Sequence, residues 1–249
     1  MPKVAPRAGV RRALDQKQLV IFYQPIHELE SHRIIAAEAL LRARRRSGEI
    51  RNAAPIAAGA EEGSEMFRLD SWMMHQVCRD AARWPDVRLN VNLSAREFQE
   101  GSLLQRLKTI EKVSQFNLEI TETSYIRKPE DIRGVLDDIR EIGVQLWLDD
   151  FGSGHSSLTH LLYFDLDGVK VPATFIKGIP ASERSSAITR SIIALAHDLH
   201  LRVIAEGVEH EAQLTFLRDL GCDYVQGFLF SEPMSADDFD SVLGESSTQ

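Results

Sequence analysis

The sequence predicts an α/β fold, either a closed barrel or a doubly wound sheet. Two observations carry that expectation. Short apolar runs, several rich in Ile, Val and Leu, alternate with longer segments of helical periodicity. The runs are short and apolar in the way of strands covered on both faces of a parallel sheet. A length of 249 residues suits one α/β barrel domain with a sizeable core.

The strands are expected at Ile21–Ile26, Ile34–Leu41, Arg88–Leu93, Asn117–Ile120, Gln145–Leu148, Gly168–Val171, Arg202–Ala205 and Asp223–Val225. Helices are expected at Ser64–Arg83, Ser102–Val113, Pro129–Ile142, Arg184–Leu199 and Glu211–Leu220. Pro129 suits a helix start, where its missing N–H costs little. Gly143 and Gly221 each follow a helical stretch and precede a strand, as C-terminal caps do. The stretch from Arg44 to Gly63 reads as a long loop with short helical pieces, and Glu245–Gln249 as a frayed tail. We expect residues 1–13 to be a linker or tail, 14–243 the domain, and 244–249 a second tail.

No apolar run reaches the roughly 18 residues of a membrane span. The basic N-terminus lacks the apolar core of a secretory signal. Cys78 and Cys222 form neither a disulfide framework nor a zinc motif, which points to buried thiols in a reducing cytoplasm. The net charge of −8 argues against a partner that is polymeric nucleic acid. A small phosphate-bearing ligand stays possible, because bound cations reverse local charge.

Polar residues close almost every strand: Glu38, Asn92, Glu119, Asp149, Asp150, Lys170, Glu206, Glu209 and Gln226. In a barrel these ends converge on one face. One carboxylate at a strand end is more often a helix cap or a solvated loop residue. The set points elsewhere, because so many oxygen donors favour a hard cation such as Mg²⁺ or Mn²⁺. Two such ions suit in-line attack on a phosphodiester, with Lys170 holding water or neutralising charge.

The motifs, in order, are YQPI at Tyr23–Ile26, Glu38-Ala39-Leu40 in AEALLR, NVNLSAREF at Asn90–Phe98, LEITET at Leu118–Thr123, LDDFGSGHSSL at Leu148–Leu158, VIAEGVE at Val203–Glu209, and LGCDYVQGFLFSEP at Leu220–Pro233. From about Leu14 to Leu243 the chain resembles the EAL-domain cyclic di-GMP phosphodiesterases of bacterial second-messenger signalling. The resemblance implies a TIM-like (β/α)8 barrel with the first strand antiparallel. It implies hydrolysis of cyclic di-GMP to linear pGpG with Mg²⁺ or Mn²⁺, in two ions. By motif, the metal ligands are Glu38, Asn92, Glu119, Asp149, Asp150 and Glu206. Lys170 matches the lysine that orients the attacking water, with Gln226 and Glu209 in support. Gln24 and Arg42 match positions near the ligand's phosphate, and Asp70 one at a guanine edge. Glu122 matches the glutamate that anchors a mobile loop, here Phe151–Ser157. The resemblance further implies a homodimer and a sensory domain upstream.

One departure matters. The family usually reads Lys-x-Asp where this chain has Lys170-Val171-Pro172. Ala43 also replaces a usual Trp and is followed by Arg44–Arg46. The leading expectation is an active hydrolase. The alternative is a weak or inactive domain that acts as a cyclic di-GMP receptor or interaction module.

Overall fold

The computed structural model describes residues 7–53, 56, 64–93, 102–121, 129–153 and 157–246. Nine strands are assigned among them: β1 (Leu19–Glu28), β2 (Ile34–Arg44), β3 (Ile50–Asn52), β4 (Arg88–Leu93), β5 (Phe116–Thr121), β6 (Gln145–Asp149), β7 (Gly168–Val171), β8 (Arg202–Glu206) and β9 (Tyr224–Gln226). The helices are α1 (Arg7–Asp15), α2 (Ser64–Ala81), α3 (Leu103–Leu107), α4 (Pro129–Glu141), α5 (Ser157–Tyr163), α6 (Ala173–Ile176), α7 (Glu183–Asp198), α8 (Glu211–Asp219) and α9 (Ala236–Ser246).

The strands run β1-β9-β8-β7-β6-β5-β4-β2, and β1 pairs with β2 to close the ring; β3 hangs on the outer end of β2. β1 is antiparallel to both its neighbours, while every other pair within the ring is parallel. The barrel and its inverted first strand therefore stand as the resemblance implies.

Alternation along each strand sorts the side chains into two sets. Leu89, Val91, Leu118, Ile120, Leu146, Leu148, Val169, Val171, Val203 and Ala205 face the helices and form the main core. The other set lines the barrel interior. Its lower layer is a separate cluster of Ile26, Ala36, Trp147 and Ile204. Trp147 sits opposite Gly168 in the β6–β7 pair. A Cβ at Gly168 would lie 2.4 Å from Trp147 Cζ3 and 2.7 Å from the Arg202 carbonyl. Only a hydrogen at that position lets the indole fill the barrel floor.

Several elements extend the sequence reading. β1 and β2 are longer at both or one of their ends than the apolar runs. Helix α1 crosses the expected boundary at residue 13, and its Val10 and Ala13 are buried against Leu19, Ala53 and Leu69. The expected helix Ser102–Val113 is shorter. It stops at Leu107, turns at Ile110 and gives one 3-10 turn at Val113–Gln115 before β5. The β-branched Thr109, Ile110 and Val113 in that stretch make a long helix costly. Helix α9 is held on the barrel by Trp84, whose Nε1 donates to Asp240, and by Phe239 against the Trp84 ring. Gly143 and Gly221 do cap their helices, at φ +90° and +69°.

We expect Gly168→Ala to destabilise the protein by about 1–3 kcal/mol, the usual cost of overpacking a closed core. A urea midpoint unchanged by the substitution would show that Trp147 swings aside freely.

Candidate active site

The interior-facing set changes character toward the C-terminal ends of the parallel strands. Above the Trp147 layer it is polar. Contacts between strands that are not neighbours define this upper layer, since such contacts cross the barrel interior. Lys170 on β7 is 0% exposed. Its Nζ lies 2.7 Å from Glu206 Oε1 on β8, 3.0 Å from Glu119 Oε1 on β5, 3.2 Å from Glu38 Oε2 on β2 and 3.3 Å from Asp149 Oδ1 on β6. Four strands thus deliver one carboxylate each to a single ammonium.

Amides fix those carboxylates. Asn92 Nδ2 donates to Glu38 Oε1 at 3.0 Å, and Gln226 Nε2 donates to Glu38 Oε2 at 2.8 Å. Gln226 Nε2 also donates to Gln24 Oε1 at 3.0 Å, while Gln24 Nε2 donates to the Ser231 carbonyl. A ladder of amides supports Glu119 from below. Arg88 donates to Asn117, Asn117 to Asn90, and Asn90 Nδ2 to Glu119 Oε1 at 2.7 Å. Asn90 and Asn117 escaped the reading of the sequence. Their signal was parity: Asn90 lies two residues before Asn92, and Asn117 two before Glu119, so each pair shares a strand face.

Asp150 sits at φ +56°, a left-handed backbone that Asp tolerates better than most residues. There its carboxylate joins Asp149 and Glu206, with one oxygen of each within 4.8 Å of the others. The next N–H, of Phe151, donates to the Lys170 carbonyl and ties the following loop to β7.

The electrostatics are unbalanced. Burial pushes the Glu119 carboxyl well above the usual range; Lys170 opposes this, and Glu38 and Asp149 add to it. Burial likewise raises Glu206 to about 7. Burial alone would lower the Lys170 ammonium, but Asp149, Glu119, Glu206 and Glu38 outweigh it and hold it firmly charged. One ammonium therefore serves four carboxylates, with Asp150 beside Asp149 and Glu206. Two acceptor oxygens, Glu119 Oε2 and Gln226 Oε1, are also buried without a hydrogen-bond partner. Uncompensated negative charge and unpartnered oxygens fit a hard divalent cation, which takes its ligands from carboxylate and amide oxygens.

Other expected site residues stand apart from this centre. Arg42 is half-buried and donates to the Leu41 carbonyl, with Glu38 as a charged neighbour. Asp70 is buried on α2 beside Arg106 and lines a cavity of about 550 Å³ along α2 and α3 that none of the central carboxylates reaches. Glu209 is exposed, and its backbone N–H donates to Gln213 Oε1 at 2.8 Å. The structure does not bring its carboxylate into the cluster. Glu122, and residues 154–156 of the expected mobile loop, lie outside the described residues.

The family model of the EAL domain matches residues 7–233. The chain belongs to the EAL domain family. Over 235 residues the EAL domain is 37% identical to the cyclic di-GMP phosphodiesterase NbdA of Pseudomonas aeruginosa, covering 90% of this chain and 30% of that protein. It is 34% identical to the signaling protein YkoW of Bacillus subtilis, covering 96% of this chain and 31% of that one. The EAL domain thus spans about a third of the length of these curated relatives. Among solved structures, the PaMucR phosphodiesterase in complex with c-di-GMP superposes with a TM-score of 0.87 at 31% identity, over 95% of this chain and all of that one. Klebsiella pneumoniae BlrP1, solved with manganese and cy-diGMP, gives a TM-score of 0.76 at 28% identity, over 87% of this chain and 56% of that one. No described helix is long and apolar enough to cross a membrane.

The raised carboxylates set a pH dependence. Glu206 moves from 4.5 to about 7, and Glu119 moves the same way. Between the ordinary and the raised value, the folded state holds more protons than the unfolded state. Stability must then fall as pH rises through that window. A divalent cation replaces the missing protons. We expect Mg²⁺ or Mn²⁺ to raise the Tm of metal-stripped protein more at about pH 8 than at about pH 5, with the difference reduced in Glu206→Gln. Equal metal stabilisation at both pH values would place these acids away from the cation.

Proposed function

We propose that this EAL domain hydrolyses cyclic di-GMP to linear pGpG, using two divalent ions. The observation that carries the reading is the excess of carboxylates over one buried ammonium at the strand C-termini, with acceptor oxygens left unpartnered. Glu38, Asn92, Glu119, Asp149, Asp150 and Glu206 would hold Mg²⁺ or Mn²⁺. When bound, such ions supply Lewis-acid charge to a phosphodiester and lower the pKa of water.

The chain's own groups do the rest. Lys170 Nζ, a donor fixed by four carboxylates, orients the attacking water and offsets charge that develops on the phosphate. Asn92 and Gln226 hold both oxygens of Glu38, so its orientation is set before any ligand arrives. Gln24 holds Gln226, and at the same end of the barrel it borders the place assigned to the phosphate. Arg42 takes a phosphate oxygen and Asp70 a guanine edge, with Glu209 in support and Glu122 anchoring the loop after β6. The PaMucR and BlrP1 complexes, whose folds this chain shares, support the choice of ligand.

Pro172 favours a second reading, a receptor that binds cyclic di-GMP without turnover. It is buried at the N-cap of α6, two residues past Lys170, and its side chain offers no ligand. Turnover separates the two readings. Purified protein with Mn²⁺ should give linear product, and Glu38→Gln should lose it by at least about 100-fold while keeping the wild-type melting curve. Binding with no linear product from the wild type would decide for the receptor. Pro172→Asp should lower the Mg²⁺ concentration needed for half-maximal activity; an unchanged requirement would show that a carboxylate at 172 is dispensable.

A further inference from the structure

The protein carries a net charge of −8, so beyond the cations proposed for the mouth an anionic ligand approaches against the field of the whole molecule. Beyond Ala39, where its pairing with β4 ends, β2 continues to Arg44 and pairs with β3 instead. Because β2 is parallel to β4, this β2–β3 hairpin stands at the C-terminal end of the barrel, above the carboxylates. It is basic, with Arg42, Arg44, Arg45, Arg46 and Arg51. Arg45 and Arg51 share one carboxylate, Glu49, at 3.7 and 2.7 Å. Arg44 and Arg46 are exposed and make no ion pair among the described residues. Arg44 shares the strand face of Arg42 and Glu38.

We propose that Arg44 and Arg46 steer the dianionic nucleotide to the mouth, an inference that rests on the function proposed above. At roughly 3.3 Å per residue, the Arg44 backbone stands about 20 Å along the strand from Glu38. That is more than two screening lengths at physiological salt, about 8 Å each. Arg44 is too far away to bias the reacting phosphate, yet it faces a ligand still on approach. The pair therefore acts on association and kcat/KM, and leaves kcat alone.

The test measures association of fluorescent cyclic di-GMP, together with kcat and KM, across ionic strength. Arg44→Glu with Arg46→Glu should slow association and lower kcat/KM on the order of 10-fold at low salt, with kcat unchanged. The deficit should vanish near about 0.5 M salt. Arg44→Gln with Arg46→Gln should fall between this and wild type. Arg33→Glu, an exposed site at the opposite end of β2, should have no effect. An equal loss in kcat, a deficit that persists in high salt, or the same loss from Arg33→Glu would overturn the proposal. Wild type that binds while the variants match it sinks the steering role alone. Wild type that neither binds nor cleaves removes the proposed function and this inference together.

Discussion

Everything at the mouth of this barrel depends on a buried ammonium, Lys170, and the four carboxylates around it. Neither side is tolerable alone. A lysine with no solvent exposure would lose its proton without anionic neighbours, and Glu119, equally buried, would be pushed still further toward its protonated form without Lys170. Such buried pairs are weak sources of stability, because desolvation cancels most of the attraction. The imbalance is more telling still. Four acids around one base, with Asp150 beside two of them, leave repulsion that a purely structural network would have been free to avoid. Protons on Glu119 and Glu206, or a cation in their place, relieve that repulsion.

That arrangement is affordable because the fold separates stability from chemistry by strand parity. The apolar set packs outward against the helices, and the polar set points inward. A slip of one residue in any strand would exchange the two sets, so the apolar exterior fixes the register of the polar interior. The same constraint positions Glu119 and Lys170 without asking anything of their own interactions. The amide ladder from Arg88 through Asn117 and Asn90 then satisfies one Glu119 oxygen and leaves the other open. Orientation is thereby set from beneath, and the open oxygen is the one available to a cation.

How much of this was legible follows from the same division. Strand-end carboxylates and the glycine caps were readable, since each carries a local signal and the barrel rule brings strand ends together. So was the sheet, although RLNVNL and NLEIT are half polar and alternate rather than running apolar throughout. That alternation held Asn90 and Asn117 in plain view, but buried amides resemble any surface residue until the inside of the barrel is known to be polar. Helix α1 and strand β3 were not legible. Their residues are mostly charged or small, and only tertiary contacts such as Val10 on Leu69 make them ordered elements. Glu209 lies three residues past Glu206, beyond the strand's end, so strand register alone does not aim its carboxylate inward.

The substitution at Pro172 can be placed by the same reasoning. Lys170 is positioned by the register of β7 against β8 and by four carboxylates, and none of these needs a side chain at 172. The proline's carbonyl accepts from the Phe175 N–H, so the strand-to-helix corner closes without a polar side chain there. What proline removes is one negative charge from a region already rich in it. Less charge means a weaker hold on a cation, and also less repulsion among the acids that remain. Geometry at Lys170 survives, so on the proposed function the effect would fall on cation affinity. An EAL domain with proline here keeps its lysine in place, with the carboxylates of Asp149, Asp150 and Glu206 still grouped beside it.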